Sequence, residues 1–122
     1  MKATEKIHRF YRIADTGDYE ALVEFLTPDV EFRFGNTPAV HSSAEIPAKG
    51  KMMGEVLAGI EHTVGDVITD GDGKHAAAEL AVRYTRHDGA VFDVPGAAVF
   101  RFDDAGLIDR YRVYIDISPV FA

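Results

Sequence analysis

The hydrophobic periodicity of this chain changes once, near residue 63, and that change limits the folds open to it. Before it, Ile7, Phe10, Tyr11 and Ala14 recur at i, i+3, i+4 and i+7, the spacing of one buried helix face. After it, apolar residues alternate with polar ones and are cut by Asp70-Gly71-Asp72-Gly73, Asp88-Gly89 and Asp103-Asp104-Ala105-Gly106. Those clusters are hairpin signals. They predict strands near 63–70, 75–87, 90–102 and 107–118. Helices first and a meander afterwards is an α+β order. We expect helices packed on a curved antiparallel sheet that encloses a pocket. With 122 residues, one domain over 1–122 is the natural size.

Within the first half, Gly17 supplies a helix stop and Asp18 an N-cap. A second helix then buries Leu22, Val23 and Leu26, ended by Thr27-Pro28-Asp29. Val30-Glu31-Phe32-Arg33-Phe34 alternates as a half-buried strand does. Ser42-Ser43-Ala44-Glu45 matches a capping box, so a third helix should start there. Met52, Met53, Val56, Leu57 and Ile60 form its expected apolar face, weakened by Gly50, Gly54 and Gly59.

Charge and composition exclude several functions. The net charge is −7, and the Lys and Arg residues are scattered, which argues against nucleic acid. The absence of cysteine removes disulfides, thiolate metal sites and thiol nucleophiles, and fits a cytoplasmic protein. The N-terminus has no apolar run of signal-peptide type, and no stretch approaches the ~20 apolar residues of a membrane span.

Turn lengths predict strand pairing, and pairing sorts the faces. A two-residue Asp88-Gly89 loop would set Glu79 opposite Ala98 and Ala81 opposite Gly96. A four-residue turn at 103–106 would set Ala98 opposite Tyr111 and Gly96 opposite Val113. One face then carries Glu79, Ala81, Gly96, Ala98, Phe100, Tyr111, Val113 and Ile115. The small residues at its centre leave room for a helix side chain or a ligand. Leu80, Val82, Tyr84, Ala97, Val99 and Tyr114 would make the other face, apolar enough for a homodimer contact.

This order, with Thr16-Gly17-Asp18, Phe25-Leu26-Thr27-Pro28-Asp29-Val30, Val99-Phe100-Arg101-Phe102 and Tyr111-Arg112-Val113-Tyr114-Ile115-Asp116, resembles the SnoaL-like branch of the NTF2-like superfamily. The resemblance spans essentially the whole chain. It implies a cystatin-like cone around a pocket, often dimeric and cofactor-free, in a group that includes isomerases, epoxide hydrolases, polyketide cyclases and non-enzymatic binders. The places of the ketosteroid isomerase residues are taken here by Phe10, Phe34 and Ala98. Those of the epoxide hydrolase residues are taken by Phe32, Phe34, Glu79, Ala81 and Val113. The acid that polyketide cyclases carry on the last strand meets Val113 and Ile115.

The residues left to carry chemistry are few. Glu79, facing the pocket, would have its pKa raised by desolvation and could act as acid or base, or could pair with Arg83. Tyr111 could donate to a ligand carbonyl or simply pack its ring. Asp116 pairs with Arg112 or a dimer partner unless the last strand bulges and turns it inward. His41 sits in a loop that could cover the pocket. His8, His41, His62, His75 and His87 share no metal-ligand spacing, so no zinc is expected. Asp66, Asp70 and Asp72 fit a hairpin turn better than a calcium loop.

Three functions remain open. The chain could bind a small apolar, aromatic or polyketide-like molecule through Phe10, Phe32, Phe34, Met53, Leu57, Ala98, Phe100, Tyr111, Val113 and Ile115. It could be a cofactor-free isomerase, cyclase or hydrolase using Glu79 or Asp116, assisted by Tyr111 or His41. It could also be a dimeric interaction module with its pocket packed shut.

Overall fold

A computed structural model describes residues 2–122. Helix α1 (Ala3–Asp15) buries Ile7, Phe10 and Tyr11. Gly17, at φ +80°, ends it in the left-handed conformation that suits glycine. The Asp18 carboxylate then accepts the Ala21 N–H at 3.1 Å and starts α2 (Tyr19–Val23).

That second helix is shorter than the sequence suggests, because Leu26 already opens β1 (Leu26–Phe34). Pro28 is tolerated there because β1 lies at the sheet edge, where its pairing with the last strand is irregular between Leu26 and Glu31. Ser42 caps a 3-10 turn at Ser43–Glu45 by accepting the Ala44 N–H, and α3 (Ile46–Val56) follows. Helix α3 also stops early. Leu57 and Ile60 belong to β2 (Leu57–Thr69), and Met52 and Val56, expected on the buried face, are 63% and 51% exposed.

Strands β3 (His75–Arg86), β4 (Val91–Phe102) and β5 (Ile108–Ile115) complete a five-stranded sheet in the order β1-β5-β4-β3-β2, and α4 (Ser118–Phe121) closes the chain. The sheet is mixed: β1 runs parallel to β5, and the other pairs are antiparallel. In β2, a bulge between Val64 and Val67 bends the edge opposite β1.

The β3–β4 hairpin corrects the expected faces. Arg86 donates its N–H to the Ala90 carbonyl, Gly89 donates to the Arg86 carbonyl, and Gly89 holds φ +90°. The loop is therefore three residues, His87 to Gly89: a type I turn closed by a left-handed glycine. A two-residue type I′ turn would need Asp88 at positive φ, and no described non-glycine residue has it. The extra residue moves the register by one and turns β3 over.

Glu79 is thus paired with Ala97 on the outer face and is exposed. Leu80, Val82 and Tyr84 point inward and are buried. At the next hairpin, a three-residue loop ending on Gly106 (φ +84°) and a bulge at Asp109 shift the register by two in all. Faces survive an even shift. Gly96, Ala98, Phe100, Tyr111, Val113 and Ile115 keep the inner side, although Ala98 faces Val113 and Phe100 faces Tyr111.

Candidate functional site

An aromatic row sets the floor of a cavity. Phe32, Tyr111 and Phe100 are register partners on β1, β5 and β4. Their rings stack at 5.2 Å and 4.9 Å, close to the strand spacing. Phe10 descends from α1 and meets Tyr111 and Phe100 edge-on, a favourable geometry for aromatic pairs. Above this floor lies a cavity of about 390 Å³, lined by side chains of α1, β1, α3, β2 and β3 and by the loop at Thr37–Val40.

Thr37, Lys49 and members of two polar pairs interrupt its apolar lining. The Tyr11 and Tyr111 hydroxyls are 2.9 Å apart. Whichever donates, the other keeps its proton for a bound acceptor. Burial is the main force raising both phenols above the usual tyrosine range, so both stay protonated near neutrality. Tyr84 is pushed up to about 12, also by burial.

The second pair joins His62 of β2 to Asp15, the last residue of α1. Nδ1 of His62 lies 2.6 Å from Asp15 Oδ1, and the His62 backbone N–H donates to Oδ2 at 3.0 Å. Their side chains are 18% and 23% exposed. A carboxylate only accepts, so Nδ1 carries a proton, and in the neutral ring the lone pair is on Nε2. The ring also lies against Tyr11, with centroids 4.6 Å apart and planes tilted by 33°. A histidine held in one tautomer by a carboxylate, beside protonated phenols, is suited to taking and returning a proton.

Of the residues expected to bind, Phe10, Phe32, Phe34, Met53 and Tyr111 line this cavity. Ala98 and Phe100 are fully buried beneath it, and Val113 is buried as well. The room left at Gly96 is filled by the neighbouring strand: a Cβ there would meet Ile115 Cδ1 at 3.0 Å. Leu57 lines a separate outer groove.

The other expected acids lie elsewhere. Asp116 is exposed and accepts the Ser118 N–H at 3.0 Å, which holds its pKa below the usual carboxylate value. Arg112 pairs with Glu31 at 2.7 Å rather than with Asp116, and Arg83 pairs with Asp93 rather than with Glu79. His41 is exposed in its loop, while the adjacent Val40 and Pro38 reach the cavity.

Sequence reasoning missed Asp15, His62, Tyr11 and Tyr84. A local signal for His62 existed. It alternates with Ile60 and Val64, and a strand started at Leu57 would have turned all three inward. Among the described residues, the one group within metal-ligating reach is Asp70, Asp72 and His75, exposed at the β2–β3 turn and outside the cavity lining. No described helix is long and apolar enough to cross a membrane.

Comparison with known proteins agrees with the architecture. The SnoaL-like domain model matches residues 7–111. A protein from Xanthomonas campestris assigned as a polyketide cyclase is 23% identical, with 97% of this chain and 93% of that one covered at a TM-score of 0.84. Another so assigned, from Pseudomonas putida KT2440, is 25% identical over 97% and 94%, at 0.80. An NTF2-like protein of unknown function from Burkholderia pseudomallei is 16% identical over 99% and 95%, at 0.88. No curated protein matches the chain.

Proposed function

The chain belongs to the SnoaL-like family, and we propose that its cavity binds a small, mostly apolar molecule carrying a carbonyl group and moves a proton within it, without a cofactor. The observation that carries this reading is His62 in the cavity wall, held from the outer groove side by Asp15. The C–H bond beside the carbonyl breaks, and its proton passes to Nε2 of His62. The electron pair moves onto the carbonyl oxygen, where the free hydroxyl proton of the Tyr11–Tyr111 pair meets it. His62 then returns the proton to carbon. Polyketide-like ketones fit this description, and isomerisation or ring closure would follow from where the proton returns.

The test is proton exchange in deuterated water, followed by NMR over a panel of apolar ketones and enones. Wild-type protein should exchange the position beside the carbonyl, and His62→Gln should stop exchange while ligand still binds. Binding without exchange in the wild type would return the chain to a second reading, a binder only, which the predominantly apolar lining favours. A cytoplasmic location and a homodimer through the outer sheet face belong to the same proposal. The dimer rests on Val99 and Tyr114, 36% and 48% exposed there. With Leu80, Val82 and Tyr84 turned inward, that face is less apolar than the sequence suggests.

A further inference from the structure

The cavity does not end in a solid wall. A second depression of about 550 Å³ lies between the α1–α2 turn, α3 and the start of β2. Ala14, Tyr19, Gly50, Met53 and Ile60 line both spaces. The Asp15–His62 pair straddles the same boundary, with Asp15 lining the groove and His62 the cavity.

Tyr19 is the bulkiest of the shared residues. It is the first residue of the five-residue α2. Its ring packs against α3 at Gly50, where any Cβ would overlap three ring atoms. Burial, and then the charge of Asp15, raises its phenol pKa, which agrees with a ring held between the two spaces. Helix α3 therefore keeps a buried glycine, at a cost in helix propensity, where the ring needs the room. Ala14, Met53 and Ile60 have apolar side chains, so the boundary around the ring is apolar, while Asp15, Asp18, Glu20 and Lys51 add charge to the groove beyond it.

We propose that Tyr19 is the specificity-determining residue of the cavity: its ring is the end wall that sets the longest ligand the cavity takes, and the outer groove is its latent extension. The natural ligand is then a compact molecule, not a long-chain one. A homologue with a smaller side chain at this position would take an extended ligand running past Asp15. This inference rests on the reading that the cavity binds small apolar molecules.

A homologous series of straight-chain 2-alkanones tests it, with affinities read by displacement of the neutral dye N-phenyl-1-naphthylamine. Each methylene placed inside the cavity should tighten binding by roughly fourfold, until the chain meets the wall and the gain stops. Tyr19→Ala should move that stopping point to longer chains by several methylenes, and Tyr19→Phe should leave it in place. Gly50→Ala, which displaces the ring without removing it, should also move it, and it serves if Tyr19→Ala fails to fold. An identical stopping point in wild type, Tyr19→Ala and Gly50→Ala overturns the assignment of Tyr19 and leaves the binding function intact. Failure of the dye and every alkanone to bind overturns both.

Discussion

Asp15 uses both carboxylate oxygens on one residue, gripping the ring and the backbone of His62. It therefore ties the end of α1 to β2 while fixing the tautomer that frees Nε2. Asp15→Asn should lower ketone exchange by on the order of 100-fold, the usual scale for a misdirected acid–base group. At this partly exposed site it should cost only about 1 kcal/mol of stability, read by urea unfolding. Exchange that fell no further than stability does would make the pair structural.

The tyrosines predict a second behaviour at the residue scale. Folding raises the pKa of Tyr11, Tyr84 and Tyr111 above the unfolded value near 10. The native state therefore holds more protons than the unfolded chain once the pH passes 10. Their contribution is complete below pH 10 and is lost as the pH rises toward the folded values, which for Tyr84 is about 12. Within that window each tyrosine should steepen the loss by about 1.4 kcal/mol per pH unit. Tyr84→Phe should flatten the curve of unfolding free energy against pH above 10.

Among the elements, two turns decide which side chains share a face. Gly89 at φ +90° completes the three-residue β3–β4 loop, and Gly89→Ala should destabilise the protein by roughly 1–2 kcal/mol, the cost of a left-handed Cβ. Thermal melts check it, and an unchanged midpoint would mean the loop adopts another turn. Gly96→Ala should cost about 1 kcal/mol or more through crowding against Ile115.

The same turns explain what could be read from the sequence. Helix α1, the order of elements and the inner face of β4 and β5 were legible, because long periodic segments state their own pattern. The orientation of β3 was not, because Asp88-Gly89 is compatible with a two-residue or a three-residue loop and the two differ by one register step. Glu79 was misplaced for that reason alone. The Asp15–His62 contact was hidden differently. Its partners are separated by 47 positions, and no local pattern announces a bond between a helix end and an edge strand.

For the whole molecule, the outer sheet face decides assembly. It mixes Val99 and Tyr114 with Glu79 and with the paired charges Arg83–Asp93 and Arg112–Glu31. If it forms the dimer, light scattering should give twice the 13.4 kDa chain mass, and Tyr114→Glu should return it to one. A monomer at high concentration would refute the dimer.

The parallel pairing of β1 with β5 has a consequence for how the protein is made. Phe32 and Phe34 leave the ribosome long before their partners Tyr111 and Val113. Until then the cavity has no floor on that side, and its aromatic residues face water. Closing so distant a contact is slow, so the nascent chain carries an unfinished, exposed aromatic surface from the emergence of β1 until that of β5. Any truncation before β5 would leave that surface permanently open.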